Sequence, residues 1–248
     1  MSSESGNAGH LDIGGVFEST KEIYGGAFGT VWLAALIIWI PTAIIVALLG
    51  TDTVFFSIGK IISALAGVWL TGTFVKIVQD VESDGRVDSS IGELFGAVFP
   101  RLLSLLVMGI IIGVCIGIGL IFFIIPGIII ALMWIVAVPA MIVENKGIFD
   151  SLGRSLELTK GNWMRILGVG VLILLAFLVI GAVSALLVAI TPFLGAIALV
   201  VLAVLIYPYM QMIVTVLYFR LVELKEGAVA AVEETVVVDE QVDPPPAV

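Results

Sequence analysis

Residues Glu144–Leu167, ENKGIFDSLGRSLELTKGNWMRIL, form a charged amphipathic segment set between two long apolar runs. Read as a helix from about Gly147, the segment places Phe149, Leu152, Leu156 and Trp163 on one side. Asp150, Arg154, Glu157 and Lys160 fall largely on the other, with Asp150 and Arg154 at i, i+4 spacing. It is too short and too charged to cross a bilayer, and its pattern predicts a helix lying in the interface plane. Asn162-Trp163-Met164-Arg165 then leads into the next apolar run.

Composition agrees with a membrane setting. Of 248 residues, 60% are hydrophobic and 12% charged, with a mean hydropathy of +1.23. Soluble domains carry about 25% charged residues, so these values belong to a polytopic membrane protein. The first 27 residues contain Glu4, Asp12, Glu18, Lys21 and Glu22 and no apolar run, so the first span is expected to serve as its own insertion signal. The single cysteine, Cys115, excludes an intrachain disulfide and a CxxC redox motif. Six of the 20 acids lie between Glu226 and Val248, where there is no base; the net charge of −9 is mainly a property of that tail. No basic face suited to nucleic acid is present.

From this centre the chain divides into six expected spans. Residues 1–12 are polar and Gly/Ser-rich and read as disordered. Ile13–Tyr24 reads as a short amphipathic helix, broken by Gly25-Gly26 before a span at Phe28–Leu49. Gly50–Thr53 is a turn, Val54–Val78 the second span, and Asp80–Ser90 an acidic loop ahead of an amphipathic piece, Ile91–Phe99. Leu102–Val143 contains no charge over 42 residues, twice what one helix needs to cross a core of ~30 Å. Ile125-Pro126-Gly127 is the expected break between its two spans. Arg165–Ile190, a turn at Thr191-Pro192-Phe193 and Leu194–Tyr218 complete the body, and 226–248 reads as a disordered acidic tail.

The expected fold is therefore an all-α polytopic membrane domain at 13–225, with six transmembrane helices as three hairpins, each introduced by an interfacial helix. Ten of the 11 basic residues, all but Lys60, fall on the side that holds both termini. By the positive-inside rule both ends are cytoplasmic, in the cell membrane of a prokaryote. The hairpins read as copies of one unit, about 13–79, 89–144 and 147–221. Arg101 and Arg165 each stand two residues after an aromatic, Phe99 and Trp163. Pro139 and Pro208 occupy the second spans of the last two units, and Glu22 and Gly26 align with Glu157 and Gly161.

Several residues are candidates for chemistry. Arg101, Arg154, Lys160, Trp163 and Arg165 lie where anionic lipid headgroups would be met, or serve as topology determinants and anchors. Lys60 is the one charge well inside a span, either an intramembrane site or a side chain snorkelling to the surface. Tyr207 and Gln211 make the last span polar, for a cavity or for a helix contact. Gly109, Gly113 and Gly117 form a GxxxGxxxG stripe, expected to pack within the monomer, with a dimer seam as the alternative. Pro41, Pro139 and Pro208 should kink their spans. His10 is the only histidine, and no HExxH, nucleophile elbow or Walker loop is present, so no catalytic residue, cofactor or metal site is expected.

Pro126-Gly127, the run Pro139–Glu144 (PAMIVE) and Ser151–Asn162 (SLGRSLELTKGN) resemble the membrane-domain family named after glycerophosphoryl diester phosphodiesterases, and related uncharacterised prokaryotic membrane proteins. That name comes from a soluble domain fused to some members, for which this chain has neither the length nor the histidines. The resemblance implies a multi-span module associated with phospholipids, and no residue-level site. The expected function is a non-catalytic module organising lipids or partner proteins, with the acidic tail open to a protein partner. A small transporter or flippase, and an accessory subunit of a separate phosphodiesterase, are the alternatives.

Overall fold

The computed structural model describes residues 11–49, 53–191 and 205–227. Among these every regular element is a helix: α1 (Ile13–Gly26), α2 (Phe28–Leu49), α3 (Thr53–Asp84), α4 (Ile91–Val98), α5 (Leu102–Phe122), α6 (Ile124–Met133), α7 (Ala137–Val143), α8 (Ile148–Thr159), α9 (Trp163–Ile190) and α10 (Leu205–Gly227). A 3-10 turn at Phe99–Arg101 joins α4 to α5. Six helical stretches are long and apolar enough to cross a membrane, with α4–α5 and α6–α7 each forming one of them. The short helices α1, α4 and α8 each precede a long apolar one.

Several boundaries move from their expected places, each for a local reason. Gly25 and Gly26 stay helical and Ala27 carries the break, because its carbonyl still receives the Val31 amide at 2.9 Å and the two helices remain coupled. α3 runs on through Asp80 to Asp84, where the expected loop should already have begun, and stops at Gly85. Gly85 has φ +75°, a left-handed conformation that suits glycine, and its amide bonds Val81 O at 2.8 Å. Asp80 is helical because its carboxylate has work to do: it accepts the amides of Asp88 and Ser89, both at 3.0 Å, and folds the loop back. A capping box between Ser90 and Glu93 then starts α4.

The reversal between α5 and α6 falls at Phe123 (φ −156°, ψ 124°), ahead of the expected Pro126-Gly127 break. Pro126 instead sits in the first turn of α6, where a missing amide costs nothing. Gly127 serves close approach: a Cβ added at Gly119 would lie 2.7 Å from Gly127 Cα, so the two helices touch backbone to backbone. The expected turns at residues 50–52 and 192–193 lie outside the described residues, as does the first part of the sixth span.

Pro41 and Pro208 lie within continuous helix, but the fourth span is interrupted at Trp134–Val136, just ahead of Pro139. Proline has no N–H to bond the carbonyl of Ile135, and the ladder shifts: Ala137 N bonds Trp134 O at 3.1 Å in place of Met133 O. A carbonyl is thereby released inside the bundle, and a later helix answers it.

The core is built around α3. Leu70, Phe74, Ile77 and Val78 are fully buried against Val31 and Ala35 of α2 and Met212, Ile213 and Leu217 of α10. On its other flank Val75 joins Val98, Leu105, Met108, Met141 and Leu152. Gly72 makes this second contact possible, since a Cβ there would come within 2.4 Å of Val98 Cγ1.

Candidate functional site: a polar layer and an intramembrane cleft

α8 shows how the polar end of the bundle is assembled. The helix spans Ile148–Thr159 with Gly147 as N-cap, close to its expected start. Its inward face differs from the expected one. Ser151, Leu152, Ser155, Leu158 and Thr159 are buried, whereas Phe149 is 77% exposed and Leu156 only partly covered. The reason is the carbonyl freed upstream of Pro139. Ser155 Oγ donates to Met133 O at 2.8 Å, and Thr159 Oγ1 lies 3.5 Å from the same oxygen. Small hydroxyl residues one turn apart let α8 lie close and satisfy a buried acceptor beside Leu152 and Leu158, and Phe149 is left facing outward.

Around α8 the charges are tied into a network. Glu144 Oε1 accepts from Arg154 Nε and from Tyr218 OH, both at 2.8 Å, and Oε2 pairs with Lys146. Burial pushes the Glu144 carboxyl up, but the hydrogen bonds from Arg154, Lys146 and Tyr218 outweigh it and hold the group below the ordinary carboxylate range. Arg154 reaches on to Glu226 at 3.1 Å, so its partners are Glu144, Glu226 and, at 3.9 Å, Glu157; Asp150 is not the partner that its spacing suggested. Lys225 Nζ donates to Lys160 O at 2.9 Å. The end of α10, Glu226 included, is thus helical and docked, past the point where the acidic tail was expected to begin.

The start of the chain is docked at the same layer. Leu11 is fully buried, its amide donates to Asn162 Oδ1 at 3.3 Å, and its carbonyl accepts from Arg165. Leu11 is therefore docked ahead of the expected boundary at residue 13. Arg220 bonds Ser19 Oγ at 3.0 Å, and Tyr24 OH bonds Leu205 O at 2.9 Å, fastening α1 to α10. Arg101 donates to Met141 O at 3.1 Å and to Asn145 Oδ1, while Asn145 takes φ +57° to present its side chain.

The five interfacial candidates thus divide. Arg101 and Arg154 are turned into the protein, onto Met141, Asn145, Glu144 and Glu226. Lys160, Trp163 and Arg165 line an open hollow with Met164, which is 80% exposed, although Arg165 also holds the Leu11 carbonyl. Among the described residues, a Cβ at Gly109, Gly113 or Gly117 would meet no atom within 4 Å. Helix contact falls to Gly119 and Gly127, which lie outside the regular stripe.

Tyr207 lines a cleft of about 420 Å³ among the spans, together with Trp39 of α2, Ser63, Gly67 and Thr71 of α3, and Gly109 of α5. Tyr207 OH lies 3.2 Å from Thr71 Oγ1. Gln211 and Lys60 are not among the lining residues. Among the described residues no group of three or more His, Cys, Asp or Glu is placed to hold a metal ion.

Six apolar spans and a charged layer gathered at their ends define a multi-pass α-helical membrane protein. The chain belongs to an uncharacterised protein family, UPF0259, whose family model matches residues 53–224. No curated protein and no solved structure matches the chain.

Sequence reasoning missed two partnerships here. The Ser151–Ser155–Thr159 ladder was visible as an i, i+4 series of hydroxyls close after a proline-broken span. The Glu144–Tyr218 bond had no local signal, since its partners stand on different spans and only the fold joins them.

Proposed function

We propose that this protein is a non-catalytic membrane module that organises lipids or partner proteins at the cytoplasmic leaflet. In this reading its spans form three repeated hairpins and both termini are cytoplasmic. The observation that carries it is the outward rim of the polar layer. Trp163 (39% exposed) and Met164 (80%) face out beside Lys160 and Arg165, and Phe149 (77%) faces out from the first turn of α8. Apolar and aromatic side chains at this level insert at the acyl boundary while cations meet lipid phosphates. The inward-turned network behind the rim gives it a rigid backing, and the acidic residues after Gly227 offer complementary charge to a basic partner. The non-catalytic part of the reading rests on the sequence, with His10 as its one histidine and no nucleophile or phosphate-binding motif.

The test is purification with native lipids, followed by mass spectrometry of what comes with the protein, for the wild type and for Lys160→Glu. Reversing this charge is expected to deplete co-purified anionic lipid or a stoichiometric protein partner several-fold while the protein stays folded. An unchanged set of companions would overturn the reading. A small transporter or flippase is a second reading, favoured by the cleft at Tyr207. An accessory role beside a separate phosphodiesterase draws on the family resemblance alone.

A further inference from the structure

The cleft among the spans has a chemistry of its own. Its hydroxyl protons are committed: Thr71 Oγ1 donates to Gly67 O at 3.0 Å and Ser63 Oγ to Gly59 O at 2.9 Å. With the Thr71 proton spent, Tyr207 OH is left as the donor in its 3.2 Å contact with Thr71. The rest of the lining is apolar, with Trp39, Val68, Leu105 and Val138 among it. Such a lining has no hydroxyl proton to offer a polar solute and favours a hydrocarbon.

Position supplies the second argument. Lys60 precedes Ser63 and Ala64 by three and four residues, so it stands on the face of α3 that continues through Gly67 and Thr71 into the cleft. Among the described residues of 28–75, 102–143 and 166–190, Lys60 is the one charged side chain, and it is exposed. From Lys60 to Thr71 the helix rises about 16 Å, close to half of a ~30 Å hydrocarbon core. A lipid whose phosphate meets Lys60 would therefore end its chain near Thr71 and Tyr207, with one leaflet's length matched to the cleft.

We propose that this cleft holds one acyl chain of an anionic phospholipid whose phosphate is bound by Lys60, on the leaflet opposite the polar layer. The inference deepens the reading of the chain as a lipid-organising module and places a lipid at a site separate from the Lys160 rim. Gly67 sets the cleft's depth. Among the described residues a Cβ there would meet only Tyr207 OH, at 3.9 Å, so a methyl fits and a longer side chain occupies the chain's path.

The experiment reconstitutes the full chain with an equimolar mixture of phosphatidylglycerol and phosphatidylcholine, one of the two carrying a photoactivatable diazirine near its chain terminus. Cross-links are mapped by mass spectrometry. Labelling is expected to concentrate on Trp39 and residues 63–71 and to exceed that of the lipid-facing α9 several-fold, more strongly for phosphatidylglycerol. Lys60→Gln should reduce the headgroup preference about fivefold, the scale of one cation near a lipid phosphate. Gly67→Leu should abolish cleft labelling for both lipids while α9 labelling, the internal control for folding and insertion, stays constant. Cleft labelling no higher than that of α9, or undiminished in Gly67→Leu, would overturn the proposal. Because Lys160→Glu acts at the other end, a loss of cleft labelling leaves the rim's effect unchanged, and the two readings fail separately.

Discussion

Helices α3 and α9 are both long enough to cross a membrane, yet the molecule treats them oppositely. The span of α9 has the higher mean hydropathy, 3.1 against 1.8, and is only 6% buried where α3 is 44% buried. Apolarity therefore does not decide which helix is central. Within lipid there is no hydrophobic drive between helices, and association depends on close packing and on hydrogen bonds. α3 carries Gly59, Gly67 and Gly72, the hydroxyls of Ser63, Thr71 and Thr73, and Trp69, whose Nε1 bonds Phe95 O at 3.3 Å. α9 presents Leu174, Leu175, Phe177, Leu178 and Val179 outward and buries Ile166 and Val169 near its start. It is pinned at the polar layer and exposed for most of its length.

The sharpest way to break this contrast is one substitution made in each helix. Gly72→Leu drives a side chain into Val98 Cγ1, already 2.4 Å from a single added Cβ, and is expected to destabilise by about 1–3 kcal/mol or more. At Gly181 on α9 an added Cβ meets nothing within 4 Å among the described residues, and Gly181→Leu should stay within about 0.5 kcal/mol of wild type. Thermal unfolding in one detergent measures both. Equal losses would mean that α9 has a packing role that its exposed surface does not show.

Next in size is the network that fixes the polar layer. Glu144→Gln leaves Lys146 without its carboxylate, removes the nearest of Arg154's three and weakens the acceptor for Tyr218, at an expected cost of about 1–3 kcal/mol near neutral pH. The pH dependence has a definite sign. The folded state holds this carboxyl below its ordinary value, so its contribution is complete above the unfolded value of ~4.3 and disappears as pH falls through the folded one. The melting temperature of the wild type should drop toward that of Glu144→Gln as the sample is acidified. Parallel curves would show that Glu144 is not the group responsible.

The same contrast explains what was legible beforehand. Spans are announced by uninterrupted apolar composition, and interfacial helices by charge at 3.6-residue spacing, both local signals; hence the six stretches, α8 and its start near Gly147. What was not legible depended on partners distant in sequence. The Gly109–Gly113–Gly117 stripe was visible as a regular pattern, whereas the close approach of Gly119 was not, because its partner Gly127 lies across a reversal at Phe123. Arg154 looked paired with Asp150 one turn away, yet the fold offered it Glu144 and Glu226. Tyr207 was visible as a polar residue in a span, while the cleft it lines needs four other helices to exist.

The smallest effect sharpens the lesson most, because it concerns a face that hydropathy alone assigns to the wrong side. If α8 were held by its apolar residues, Phe149→Ala would destabilise the fold and Ser155→Ala would not. The geometry requires the reverse. Phe149 is 77% exposed, so its truncation removes membrane contact and leaves the protein's own packing intact. Ser155 Oγ is the good donor to the Met133 carbonyl that Pro139 sets free, at 2.8 Å, and the Thr159 hydroxyl at 3.5 Å is a poor replacement. Ser155→Ala should therefore cost about 1 kcal/mol in detergent, read as a lowered melting temperature. Pro139→Ala in the same background should recover part of that loss, since it supplies an amide for Ile135 and lets the ladder take Met133 O back inside the span. If that second change brings no recovery, the proline is not what turns the carbonyl toward α8, and the inward hydroxyl face needs another cause.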